Sequence, residues 1–118
     1  MASLRHALRR QGICDAETAQ KTPSGTTVRY AGVVTHRQRP ETASGVTFMT
    51  LEDETGSVNL VIWARTFEAF SVVARTAPLL GVTGTIEAKD HVVHLIARRL
   101  WVPRAARMRA SIKSRDFH

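Results

Sequence analysis

The chain carries a single cysteine, Cys14, in 118 residues. One thiol excludes an internal disulfide, and no zinc-ligand partners stand at the required spacing, so Cys14 reads as an incidental thiol in a reducing compartment. Long apolar runs are also missing. Nothing approaches the roughly 18 apolar residues of a membrane span, and no signal-like apolar segment follows Met1. The expectation is a soluble, cytoplasmic protein with no membrane partner. Acidic residues are sparse, with Glu52, Asp53 and Glu54 as the only dense cluster. Adjacent residues on a hairpin turn point in different directions, so this cluster reads as a solvated turn. It lacks the arrangement that holds two divalent ions about 3.5–4 Å apart for phosphoryl transfer. The five histidines offer no chelating pair, since His91 and His94, three apart on a strand, face opposite ways. No serine, histidine and acid can be grouped from the pattern. The chain alone is therefore expected to hold no catalytic residue, no metal and no cofactor.

What is present is basic charge. The formal net charge is +7, which points to a polyanionic partner. Its distribution is uneven: residues 1–21 hold four basic and two acidic side chains, residues 22–103 eight and seven, and residues 104–118 five and one. Most of the excess lies in the two ends. A length of 118 residues allows one domain with a modest core, and 43% hydrophobic residues is ordinary for one.

Alternation organises the middle of the chain. In residues 28–35, Val28, Tyr30, Gly32 and Val34 fall on one face of a strand, and Gly32 marks a bend. Residues 36–44 contain Arg37, Arg39 and Pro40 without apolar periodicity and read as a long loop. A second strand over 45–51 sets Thr47, Met49 and Leu51 against Val46, Phe48 and Thr50. Residues 52–56 form a hairpin connection, and 57–63 a third strand in which Val58, Leu60 and Ile62 alternate with Asn59, Val61 and Trp63. There the pattern assigns neither face to solvent. A helix capped by Thr66 is expected to run to about Ala74, burying Phe67, Phe70 and Val73 or Ala74, with Pro78 closing it. A fourth strand over 80–87, a polar turn at Lys89, Asp90 and His91, and a fifth strand over 92–102 follow. Upstream, residues 3–11 form a short helix ended by Gly12, and a further helical turn spans 15–20.

Three strands, a helix and two strands is the layout of an OB-fold. The expected class is all-β: a five-stranded, partly open Greek-key barrel with a helix between strands 3 and 4 and a short N-terminal helix. The expected organisation is a helical extension over 1–25, the barrel over 26–103, and a basic tail over 104–118, low in apolar content.

The segments HRQRPETASGVTFMTLEDETGSVNLVIW, LLGVTGTIEAKDHVVHLIARRL and the terminal KSRDFH resemble the C-terminal region of the bacterial error-prone DNA polymerases of the C family, relatives of the polymerase III α subunit. The early LRHALRRQGI is similar to the segment preceding the family's barrel, so the resemblance covers nearly the whole chain. Its most specific parts are Arg37-Gln38-Arg39-Pro40, Thr42-Ala43-Ser44-Gly45 and the run from Thr50 to Gly56. The family's palm, fingers and phosphoesterase-like regions are absent, and the spacer before SRDFH is shorter. The resemblance implies a template-handling module without its catalytic centre, working in mutagenic repair synthesis.

On an OB-fold, single strands cross the face of strands 2 and 3, flanked by the first loop and the last hairpin. With Met49 and Leu51 inward, Phe48 and Thr50 face that surface. Phe48 is either a stacking platform for a base or a packing contact for the N-terminal helix or another domain. Asn59 and Trp63 fall on the outward face of strand 3, where Trp63 either stacks on a base or lies under the helix that follows. Arg37 and Arg39 can grip phosphates, a reading the resemblance strengthens, and Arg29, Lys89 and Arg98 extend the path or serve as ordinary solvated charges. The expected partner is single-stranded DNA, with other subunits of a mutagenic polymerase complex as further partners that the resemblance implies for the tail. The competing expectation is a protein-interaction module using Val46, Phe48 and Trp63. RNA is a weaker third. The pattern leaves the oligomeric state open.

Overall fold

A computed structural model describes residues 8–10, 12–38 and 45–103. Five strands, β1 (Thr27–Gln38), β2 (Thr47–Asp53), β3 (Gly56–Ile62), β4 (Leu79–Lys89) and β5 (Val92–Trp101), close into a barrel in the order β1-β2-β3-β5-β4. Three short helices accompany them: α1 (Ala16–Lys21) before the barrel, then α2 (Ala64–Ala69) and α3 (Ser71–Thr76) between β3 and β4. Residues 8–10 are helical, while the remainder of the helix expected over 3–11 and the tail over 104–118 fall outside the described residues. No helix among those described is long and apolar enough to cross a membrane.

All strand pairs are antiparallel except β3 with β5, whose parallel contact comprises Asn59↔His94, Leu60↔Leu95 and Val61↔Ile96. This short contact closes a barrel that the element order left partly open. Tyr30, Leu51, Leu60, Ile62, Leu80, Ile86, Leu95 and Leu100 fill its interior, the inward half of each alternating pattern.

One strand serves two neighbours. Residues 27–33 of β1 pair with β4, and from Val33 onward β1 pairs with β2. Gly32 sits at the handover, where a Cβ would stand 2.5 Å from the Tyr30 hydroxyl and 3.1 Å from the Glu52 carbonyl oxygen. Only glycine lets β2 come this close. A bulge follows between Val34 and His36, and its extra residue, Thr35, donates its hydroxyl to the Thr50 carbonyl at 3.2 Å. The bulge switches the parity of the strand, so that Val34 opposes the inward Leu51 while His36 opposes the outward Thr50.

Two expectations are corrected. Residues 36–38 are the last turn-free part of β1, not the start of a loop: His36, Arg37 and Gln38 pair with Thr50, Met49 and Phe48. Their pattern hides the strand because the inward position is taken by an arginine. Arg37 donates from Nε to the Ala74 carbonyl at 2.9 Å and from Nη2 to the Ala77 carbonyl at 2.7 Å, satisfying carbonyls at the end of α3. The single helix expected from Thr66 is two helices that break at Phe70, where φ is −124° and ψ is 33°. The N-cap position belongs to Trp63, with no side-chain hydrogen bond, instead of Thr66. With the break, Phe67, Ala74 and Ala77 all reach the core.

The upstream segment is fastened to the barrel by hydrogen bonds and by packing. Asp15 caps α1 by accepting from the Thr18 amide at 2.8 Å, and the Asp53 carboxylate accepts from the Ala16 amide at 2.8 Å and from Thr55 through both its amide (2.8 Å) and its hydroxyl (2.6 Å). The Thr55 hydroxyl in turn accepts from the Glu17 amide at 3.0 Å. The acidic hairpin thus holds the start of α1, a favourable place for a carboxylate. On the outer face of β1, β4 and β5, Leu8, Ile13 and Ala31 pack with Trp101. The Trp101 indole occupies the space where a side chain on Gly81 would be, donates to the Thr83 hydroxyl at 3.0 Å, and lies 5.0 Å beneath the Arg29 guanidinium.

Candidate nucleic-acid interface

The barrel presents a broad groove, of about 430 Å³, on the exterior of β1, β2, β3 and β5. Its lining is His36, Gln38, Phe48, Met49, Thr50, Asn59, Leu60 and His94. Strand register explains the assembly. His36 opposes Thr50, Thr50 opposes Asn59, and Asn59 opposes His94, so four polar side chains from four strands stand in one row across the sheet. The next row is more apolar: Gln38 opposes Phe48, Phe48 opposes Val61, and Val61 opposes Ile96. At about 4.8 Å between strands, each row spans about 14 Å. The β1 bulge is what admits His36 and Gln38, because without the extra Thr35 they would fall on the opposite parity.

Phe48 is 43% exposed, a large value for an aromatic ring flanked by strand neighbours on both sides. It presents a flat apolar surface beside hydrogen-bonding groups, the combination on which a base can stack. Among the described residues, the lining contains no lysine, arginine, aspartate or glutamate. Charge lies around the groove instead. Lys89 shares the outer face of the β4–β5 hairpin with Glu87, Val92 and His94, through the pairs Lys89↔Val92 and Glu87↔His94.

Of the residues expected at the site, Phe48, Thr50 and Asn59 are brought together in the groove. Lys89 stands on the adjoining hairpin. Arg98 is exposed at a bulge in β5, the extra residue between Ala97 and Arg99, and is not part of the lining. Trp63 ends just beyond β3 with 51% of its surface exposed, so it is not buried under the helices, and it too lies outside the lining. Arg29 is on a different face, over Trp101. Arg37 turns to the barrel end, where it lines a smaller pocket of about 90 Å³ with Thr47, Phe67 and Arg75. Arg39 lies outside the described residues. The pattern alone missed Gln38 and His94. For Gln38 the signal was the bulge in β1, which leaves no mark in composition, and His94 is brought in by the parallel pairing of β5 with β3.

Among the described residues, no group of three histidine, cysteine or acidic side chains is placed to hold a metal ion. The Cys14 thiol is half-buried and its pKa is pushed up to about 11, chiefly by burial and secondarily by the charge of Asp15.

Comparison with known proteins agrees with this geometry. The family model of the OB-fold nucleic acid binding domain, of the tRNA anti-codon type, matches residues 28–103. The chain is 47% identical over 120 residues to an error-prone DNA polymerase of Alkalilimnicola ehrlichii, covering 100% of this chain and 12% of the polymerase. It is 46% identical over 123 residues to that of an Azoarcus species, covering 100% and 11%. The chain thus spans about a tenth of the length of these curated relatives. Among solved structures, asparaginyl-tRNA synthetase of Pyrococcus horikoshii aligns with a TM-score of 0.63 at 21% identity, over 75% of this chain and 21% of that one, a likeness of fold.

Proposed function

Because this chain belongs to the family of OB-fold nucleic acid binding domains, we propose that it binds single-stranded DNA along the groove of β1, β2, β3 and β5. In this reading it is the template-handling module of an error-prone polymerase and performs no chemistry itself. The observation that carries the reading is the exposed Phe48 ring set in an open groove of hydrogen-bonding side chains. The similarity to error-prone polymerases over the full chain supports the DNA side of it, and a cytoplasmic setting follows from that role. Lys89 and Arg98 contribute phosphate contacts from the rim, and Arg39 and the basic tail add others. The proposed organisation remains a helical extension over 1–25, a barrel over 26–103 and a tail over 104–118.

Fluorescence anisotropy of a labelled oligothymidine over a salt series tests this. Stacking on an aromatic ring contributes about 1–3 kcal/mol by alanine substitution, so Phe48→Ala is expected to weaken binding about five- to hundredfold. A chain ending at Pro103 is expected to keep most of the affinity and to lose part of the salt dependence. Binding that vanishes with the tail while Phe48→Ala is silent would remove the groove as the reader.

A second reading has its own observation. Trp63, with half its surface exposed outside the groove, and Phe48 at 43%, with the half-buried Val46 nearby in sequence, supply apolar surface for a protein partner such as another subunit of a mutagenic polymerase complex. The titration of the intact chain distinguishes the two, because under this second reading it shows no oligothymidine binding for Phe48→Ala to weaken.

A further inference from the structure

We infer that the groove reads the uncharged edges of bases, with Asn59 as the central discriminating residue, and leaves the phosphates to its rim. This rests on the single-strand reading above and goes beyond it. Two observations carry it. The eight lining residues among those described include no lysine, arginine, aspartate or glutamate, so a phosphate resting on them would give up water without meeting a lysine or arginine. In the same place, the row His36, Thr50, Asn59, His94 presents an imidazole, a hydroxyl, an amide and a second imidazole in direct cross-strand succession. Each of these groups can both donate and accept, which suits the mixed donor and acceptor edges of bases.

The row beside it supplies the stacking surface. Phe48, Val61 and Ile96 lie one step along the strands from Thr50, Asn59 and Ile96's neighbour His94. A base seated on Phe48 has the amide and hydroxyl of the neighbouring row about 7 Å away along the strands. Asn59 stands between Thr50 and His94, the central pair of contacts in that row, and it is exposed, so changing it does not disturb the core. Its carboxamide is oriented by a strand, which gives a more fixed geometry than a loop would. Removing the amide leaves the base edge without its partner, and discrimination among bases depends on such partners.

The test is anisotropy of the full chain with labelled oligothymidine, oligodeoxycytidine and oligodeoxyadenosine of equal length, each over a salt series, for the wild type, Asn59→Leu and Phe48→Ala. Thermal melting of each protein checks that it is folded. The expected result is that wild-type affinities for the three differ by about tenfold or more between best and worst. Asn59→Leu is expected to compress that spread to about twofold, with the slope of log affinity against log salt unchanged, since no phosphate contact is lost. Equal wild-type affinities, or a spread that survives Asn59→Leu, would overturn the inference while leaving single-strand binding in place if Phe48→Ala still weakens it. A fall in the salt slope with Asn59→Leu would also overturn it, by showing that the groove holds phosphate. Absence of binding to all three removes the single-strand reading and the inference together.

Discussion

Arg37 is where the sequence pattern and the structure suggest different work for one side chain, and substitution separates them. Its guanidinium donates two hydrogen bonds, at 2.9 Å to Ala74 and 2.7 Å to Ala77, tying the end of β1 to the end of α3. Hydrogen bonds to charged groups contribute about 1.5–3 kcal/mol each, but the side chain is exposed and water competes, so about 1–2 kcal/mol for the pair is the reasonable figure. For a domain of this size that corresponds to a fall in melting temperature of about 4–16 °C in Arg37→Ala. Arg37→Lys sharpens the test. Lysine keeps the charge but has no planar fork to reach two carbonyls at once, so most of the stability loss is expected to persist. Oligonucleotide affinity, and its salt slope, are expected to stay within about twofold in the lysine variant. The assays are circular-dichroism melting and the anisotropy titration on the same preparations. A melting temperature unchanged in both variants, with affinity lost in Arg37→Ala and regained in Arg37→Lys, would refute the structural role and return Arg37 to the phosphates.

Other perturbations probe the scaffold around the groove. Asp90 and His91 both hold positive φ, 52° and 67°, in the two-residue connection between Lys89 and Val92. This geometry favours Asn-Gly, so the double change Asp90→Asn, His91→Gly is expected to raise stability by about 1 kcal/mol in urea denaturation. Asp53→Ala removes the acceptor shared by Ala16 and Thr55 and is expected to cost about 1–2 kcal/mol, with hydrogen exchange rising first in α1. Cys14, with its pKa at about 11 instead of 9.0, should be about a thousandth ionised at pH 8, so alkylation by iodoacetamide should accelerate about tenfold per pH unit well past pH 9. The folded chain keeps this proton where the unfolded chain loses it. The contribution to stability is therefore intact below pH 9 and fades as pH rises from 9 towards 11, which pH-dependent denaturation will show.

The barrel was legible because its inward positions obey one rule. Met49 and Leu51 alternate with Phe48, Thr50 and Glu52, and both fall inside as the pattern requires, while on β3, where the pattern assigned neither face to solvent, Val58, Leu60 and Ile62 are the inward set. The groove was legible only on β2 and β3, for the same reason: once Met49 and Leu51 point inward, Phe48 and Thr50 must point out. It was not legible on β1, where the extra Thr35 changes parity and Arg37 takes an inward position through carbonyls 37 and 40 residues away in sequence. Nor was Asp53 readable as a helix anchor, since its partner amide at Ala16 is also 37 residues distant. Local periodicity reports which face of an element is apolar. It carries no information about a polar group satisfied by a remote backbone atom.

The charge distribution follows the same division between centre and rim. The barrel segment over 22–103 has eight basic and seven acidic residues, and among the described residues the groove lining has none of either kind. Of the barrel's basic residues, Arg29 is set over Trp101, Arg37 is bonded at the end of α3, and Arg75 lies over Phe67. Net charge therefore overstates the phosphate contacts that the barrel face can make. An affinity built on this surface is expected to come largely from stacking and hydrogen bonds, which salt weakens little, while the steep salt-dependent part is expected from Lys89, Arg98, Arg39 and the basic ends of the chain. The two parts answer to different substitutions, so a salt series on Phe48→Ala and on the chain ending at Pro103 separates them without any knowledge of the bound structure.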